Sequence, residues 1–296
     1  MLFRSGQLSG SVSKALMSLG IDTLPDLNRD PGDRNRTSPF AFTGNRFEFR
    51  AVGSGQSVAG PLVVLNTILA DSLQWIADQL EAQLQNGTPL EEAAFAVLKS
   101  TMEAHGNVVF GGDGYSAEWH RLAVEERGLE NLRTSADALP VLERPQVREL
   151  FERQGVLSPV ELESRFEVYA EQYLLAIDVE AKLSLRIART QVYPAAMTFL
   201  QRLTTGLRQQ QELGLQTPNS IAASAAELIQ QLVETCTALE EELQQAPHDV
   251  HAHLRHCADV VLPQMLRLRA AVDGLEALLD DDLWPLPTYQ ELLFMR

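Results

Sequence analysis

The sequence predicts an α+β chain that is predominantly α, with strands and loops in its first part and long packed helices, two of them a helical hairpin, in the rest. Two observations carry this. Up to about Gly60 the chain is rich in Gly, Pro, Asn and Asp with short alternating apolar runs, which suits loops and strands. Afterwards apolar residues recur at steps of three and four over long stretches, the period of an amphipathic helix. With 296 residues, 45% hydrophobic and 22% charged, the chain can bury one large core or two smaller ones.

The helical elements follow in order. Pro61 suits a first turn, and Leu62, Leu65, Leu69, Leu73, Ile76, Leu80 and Leu84 make one apolar stripe that needs a sheet or helix to cover it. A second helix spans about Pro89 to His105, before a turn-rich loop, Gly106 to Ser116, whose Val108, Val109 and Phe110 suit a short strand. Pro145 can open a short helix that Gly155 ends. Ser158, Pro159 and Glu161 then form a capping box with proline at the first helical position, so a long helix begins there. Its stripe runs through Phe166, Tyr169, Tyr173, Ile177 and Leu183, and Pro194 should kink it before a stretch reaching about Leu213. Ser220 to Gln245 and Val250 to Leu279 repeat the period, with a break at Ala246 and Pro247 that suits an antiparallel hairpin. The tail from Trp284, WPLPTYQELLF, is too apolar to dangle in water and should pack back onto the body or a neighbour.

Composition excludes several function classes. A net charge of −16 repels polyanions, and no basic run interleaved with aromatics offsets it, so no nucleic acid is expected as a partner. The longest apolar stretch, Pro61 to Ala77, is interrupted by Asn66, Asp71, Ser72 and Gln74 and fits a bilayer-spanning helix poorly. The N-terminal MLFRSGQLSG has no signal core, which places the expected location in the cytoplasm, away from membranes. Cys236 and Cys257 lack CxxC spacing and are expected to be reduced thiols.

The residues best suited to chemistry lie in NRFEFR at Asn45 to Arg50. Successive strand side chains alternate faces, so Arg46, Glu48 and Arg50 share one face while Phe47 and Phe49 share the other, free to bury in a core. Arg34 and Arg36 lie just upstream, so four arginines gather in an acidic protein. Guanidinium groups bind phosphate or carboxylate through paired, charge-assisted hydrogen bonds worth roughly 1.5 to 3 kcal/mol each. Glu48 would suit Mg²⁺, a hard cation that takes carboxylates and shares phosphate oxygens. Together they suggest phosphoryl transfer. The pattern alone fits better a surface strand whose Arg, Glu and Arg make same-face ion pairs.

The stretch DRNRTSPFAFTGNRFEFRAVGSGQSVAGPLVVLNTILADSL at Asp33 to Leu73 closely resembles the catalytic core of type III glutamine synthetases. The resemblance continues in FGGDGYSAEWH at Phe110 to His120, ERGLENLRTSADALP at Glu126 to Pro140, LFERQGVLSPVELESRFE at Leu150 to Glu167 and DDLWPLPTYQELLF at Asp281 to Phe294. It implies an enzyme that phosphorylates the side-chain carboxylate of glutamate with ATP and lets ammonia displace phosphate to give glutamine, with Mg²⁺ or Mn²⁺ as cofactor. It implies that residues 1–157 are the C-terminal part of a catalytic domain, contributing strands of an incomplete barrel, and that 158–296 are a helical C-terminal domain. Residue by residue, Arg36 matches an arginine that contacts the transferred phosphoryl group, Arg46 one that contacts ATP phosphates, Glu48 a metal ligand, and Arg50 the arginine that holds the carboxylate of glutamate. Arg34 and Asn35 accompany the motif without an assigned role. The family places its nucleotide-covering β domain, most metal carboxylates, the metal-binding histidine and the glutamate-binding loop before the segment matched here. The expectation is therefore a partial subunit, inactive alone, that works in a large homo-oligomer or with an N-terminal partner portion. The other reading is a non-catalytic helical module that oligomerises or binds intact synthetase.

Two further clusters read as structural. GGDGYS at Gly111 to Ser116 lacks the GK[ST] ending of a phosphate-binding loop and reads as a turn. His248, His251, His253 and His256, near Cys257, have helical spacing that could hold an adventitious metal, but solvated or packed histidines account for them. No GxSxG element supports acyl transfer.

Overall fold

Helix caps and proline positions decide most of the architecture. The computed structural model describes residues 16–17, 27–28, 40–42, 46–50, 53, 56–287 and 289–293. The chain divides into two compact units, one of Met1–Leu132 with Glu149–Val156, the other of Arg133–Arg148 with Leu157–Arg296.

In the first unit the described strands form two short antiparallel pairs. β1 (Leu16–Met17) pairs with β2 (Leu27–Asn28), and β3 (Phe40–Phe42) with β4 (Phe47–Phe49). Two long helices come next, α1 (Ala59–Gln85) and α2 (Leu90–His105), packed on one another. Ala93 and Val97 of α2 are buried, as is Thr67 of α1, whose hydroxyl donates to the Val63 carbonyl at 2.8 Å. The leucine stripe of α1 is only partly covered. Leu65, Ile76 and Leu80 are half-buried, whereas Leu62, Leu69 and Leu73 stay exposed, because the stripe is wider than one neighbouring helix can cover.

The strand expected at Val108 to Phe110 does not form. Gly106–Val108 is a 3₁₀ turn, with the Val109 N–H donating to the Gly106 carbonyl at 3.2 Å. Strand-prone side chains need a partner strand, and here Phe110 instead stacks on Trp119, ring centroids 3.7 Å apart. Arg127 closes that cluster, 4.9 Å from the Trp119 ring, while its Nη1 donates to the carbonyls of Asn107 and Val109. The GGDGYS segment is a turn, as expected. Asp113 Oδ1 accepts from the Tyr115 N–H at 3.0 Å, and Ser116 Oγ caps α3 (Ala117–Glu125) by accepting from the Trp119 N–H at 3.1 Å.

The second unit opens with α4 (Ser135–Ala138), capped reciprocally by Thr134 and Asp137, and a 3₁₀ turn at Leu139–Glu143. α5 (Pro145–Arg153) leads out of it. Gly155 ends that helix with φ +63°, a left-handed conformation that lets the Val156 N–H reach the Phe151 carbonyl at 3.0 Å. α6 (Pro159–Ile187) begins at the capping box read from the sequence: the Ser158 N–H donates to Glu161 Oε2 at 2.8 Å, and the Glu161 N–H to Ser158 Oγ at 3.3 Å.

Two prolines shape the long helices of this unit. α6 passes through a π turn, Ala188–Val192, into α7 (Tyr193–Glu212), and α9 (Val250–His256) passes through another, Cys257–Val261, into α10 (Leu262–Glu276). Pro194 and Pro263 lie just after these turns. Neither has an N–H, so the preceding turn widens until the Tyr193 N–H reaches the Ala188 carbonyl and the Leu262 N–H the Cys257 carbonyl.

Between them runs α8 (Ser220–Gln244). The hairpin is antiparallel: His256 Nε2 lies 2.9 Å from the Glu242 carbonyl, while Gly274, eighteen residues on, faces Leu228. A Cβ at Gly274 would come within 2.8 Å of Leu228 Cδ2, so glycine permits the close approach. The core is built from periodic small and branched side chains, Ile177, Ala181 and Leu185 of α6 meeting Ile229, Leu232, Cys236 and Leu239 of α8 and Leu268, Ala271 and Leu275 of α10. Leu283 and Trp284 pack against it, as expected of the tail, whereas Leu292 and Leu293 of α11 (Tyr289–Leu293) are exposed.

Candidate functional site

The site begins with the alternation of β4. The register Phe40↔Phe49, Ala41↔Glu48 and Phe42↔Phe47 puts Glu48 opposite the smallest residue of β3. Arg46 Nη2 donates to Glu48 Oε1 at 3.4 Å and Arg50 Nη2 to Glu48 Oε2 at 2.9 Å, so each carboxylate oxygen accepts from one arginine. The Arg50 hydrogen bond, with the positive charge of both guanidinium groups, holds the Glu48 carboxyl below the ordinary glutamate range against partial desolvation. Arg50 is the more sheltered cation, its side chain 26% exposed against 73% for Arg46.

Among the described residues, two guanidinium groups share this side of the strand with one ionised carboxylate, a grouping that suits an anion. The same geometry meets the surface-strand reading of the pattern, because the contacts seen are same-face ion pairs. Arg34, Asn35 and Arg36 lie outside the described residues.

The phenyl side departs from expectation. Phe47 and Phe49 are 63% and 50% exposed, less buried than Glu48. They pair with Phe40 instead, stacked on Phe47 at 5.2 Å and edge-on to Phe49 at 6.5 Å.

As a donor Glu48 fits a hard cation, being an ionised carboxylate. It is one oxygen ligand group, however, and Mg²⁺ takes an octahedron of oxygens. Among the described residues no group of three or more His, Cys, Asp or Glu could hold a metal ion. The described residues therefore do not make a metal site by themselves.

Of the clustered histidines, His251 and His256 are paired, His253 is half-buried and His248 is exposed. His251 stacks on Phe166 at 5.1 Å and lies 3.2 Å from Glu143 Oε2. His256 meets the last turn of α8, and burial followed by the neighbouring His256 pushes the His253 pKa down. Cys236 and Cys257 are free and buried, their thiol pKa values raised by burial. The Phe110, Trp119 and Arg127 cluster was not legible as a unit, since its members are spread over eighteen positions with no periodic signal.

A family model described as the glutamine synthetase C-terminal domain matches residues 93–211. The type-3 glutamine synthetase of Dictyostelium discoideum is 38% identical over 291 residues, covering 95% of this chain and 39% of that protein. Glutamine synthetases of Bacteroides fragilis (strain YCH46) and Butyrivibrio fibrisolvens are each 33% identical, over 96% and 90% of the chain and 40% and 38% of theirs. The chain thus carries a glutamine synthetase C-terminal domain. Over nearly its whole length it corresponds to the carboxyl-terminal part of type III glutamine synthetases. It spans about two fifths of the length of the curated relatives it matches. Among the described residues no helix is long and apolar enough to cross a membrane.

Proposed function

We propose that this chain supplies one wall of the active site of an ATP-dependent glutamate–ammonia ligase in the cytoplasm. The observation that supports this reading is the Glu48 carboxylate held between Arg46 and Arg50 on one side of β4. In the reaction a glutamate side-chain carboxylate attacks the γ-phosphoryl group of ATP, giving ADP and an acyl phosphate. Ammonia then attacks the acyl carbon, the C–O bond to phosphate breaks, and a proton leaves the nitrogen. Negative charge gathers at the transferred group, where oriented guanidinium groups stabilise it most.

In this proposal Arg36 contacts the transferred phosphoryl group, Arg46 the ATP phosphates and Arg50 the carboxylate of glutamate. Glu48 contributes one ligand to Mg²⁺ or Mn²⁺ and orients both flanking arginines. A metal centre needs more than one carboxylate, and the chain spans about two fifths of the length of the synthetases it matches, so alone it is expected to be inactive and to work within a larger homo-oligomer or beside the portion that supplies further donors.

A second reading, a non-catalytic helical module that oligomerises or binds intact synthetase, is favoured by one observation. The second unit closes its own core without Arg46, Glu48 or Arg50. The two readings part under titration of the purified chain with glutamate or Mg-ATP, followed by side-chain NMR. Signals of Arg50 and Glu48 that move in the wild type, with the Glu48 signal standing still in Arg50→Ala, support the ligase reading. No response in either chain supports the module.

A further inference from the structure

We propose that α6 is a self-association seam through which two copies of this chain pair antiparallel. α6 is apolar on two sides. One carries Leu162, Phe166, Ile177 and Leu185 into the interior. The other carries Val168, Leu175, Val179 and Leu183 outward, 46%, 64%, 54% and 51% exposed. Steps of seven, four and four place these four on one face, over about 22 Å of helix at 1.5 Å per residue. A helix with a second apolar stripe buries it against something.

The charges beside the stripe indicate what covers it. Glu167 and Glu171 flank its N-terminal half, and Lys182 and Arg186 its C-terminal half, all exposed. A second copy laid parallel would set acid against acid and base against base. Laid antiparallel about a two-fold axis near Ala176 and Ile177, it brings Glu171 to Lys182 of the second copy and Glu167 to Arg186 of the second copy, while Leu175 meets Val179 and Val168 meets Leu183 across the axis. The surface is therefore complementary to itself, which an isologous dimer requires. Lys182 Nζ lies 2.8 Å from Asp178 within its own helix, and exchanging one exposed ion pair for another costs little. The net charge of −16 opposes association at long range, but physiological salt screens it beyond about 8 Å.

The test is sedimentation equilibrium of the purified chain and four variants. Leu175→Asp and Val179→Asp should each raise the dissociation constant at least tenfold with unchanged helix content. Glu171→Lys and Lys182→Glu should each weaken association, and the double variant carrying both should restore it, because the swap recreates the complementary pairs. Should other faces also associate, a short bis-maleimide should join two copies of Ala176→Cys, close to the axis, and not of Val160→Cys, far from it; the native thiols are buried. A wild-type monomer at every concentration, association indifferent to Leu175→Asp, or a double charge swap that fails to restore it would each overturn the seam.

Discussion

Arg50 Nη2 donates to Glu48 Oε2 at 2.9 Å, and this contact is the largest influence holding the Glu48 carboxyl below its ordinary pKa of 4.5. It joins the residue proposed to hold glutamate to the residue proposed to hold a metal. An anion that draws on Arg50 therefore also alters the field at Glu48.

The sign of the shift gives the first expectation. A depressed folded-state pKa means that the carboxylate stabilises the hairpin above the ordinary glutamate range and loses that contribution as pH falls through the folded value. Carboxyl ¹³C titration should place Glu48 below the exposed glutamates, and Arg50→Ala should return it toward 4.5. A Glu48 titration unaffected by Arg50→Ala would contradict the pairing.

The start of α6 gives the second. Ser158→Ala removes the hydroxyl that accepts from the Glu161 N–H and should cost about 1 kcal/mol in denaturant unfolding. The same variant removes the hydroxyl donor to the Glu161 carboxylate and keeps the backbone N–H, the larger influence, so the lowered Glu161 pKa should rise only part of the way.

Packing gives the third. Leu239 is fully buried between α6, α8 and α10, and Leu239→Ala should destabilise the chain by roughly 2 to 5 kcal/mol through lost burial and an incompletely collapsed cavity. Leu266→Ala, at an exposed position, should change stability by about 0.5 kcal/mol or less.

The thiols give the fourth. Cys236 and Cys257 are buried with raised pKa values, so a thiol reagent should find neither in the native chain and both after denaturation. Prompt native labelling of either would show that the helices around it open.

Much of the helical architecture was legible because its signals are local. Ser158 and Glu161 sit three apart, Gly155 comes just after a last turn, and Ala246 with Pro247 interrupts two apolar repeats. Each acts within a turn or two of itself, so no knowledge of distant partners was needed. Pro194 announced a disturbed turn, but Pro263 was passed over inside an apolar run although it widens Cys257–Val261 in the same way. What failed depended on neighbours: Val108 to Phe110 have strand-forming side chains, yet the chain turns there and Phe110 stacks on Trp119, and Phe47 and Phe49 alternate correctly yet stay at least half exposed. In the candidate site, period two placed Arg46, Glu48 and Arg50 on one side of β4, and they are found there. Their individual roles were not legible from spacing, because a salt-bridged surface strand and an anion site share the same alternation.

The most direct test of the proposed partial site is phosphate release by the purified chain supplied with Mg-ATP, glutamate and ammonium, run beside Glu48→Ala. The expected result is no release from either chain, because the chain spans about two fifths of the length of the synthetases it matches and the reaction needs a complete metal centre. Glutamate-dependent release that disappears in Glu48→Ala would contradict this, showing that the chain assembles a working site by itself.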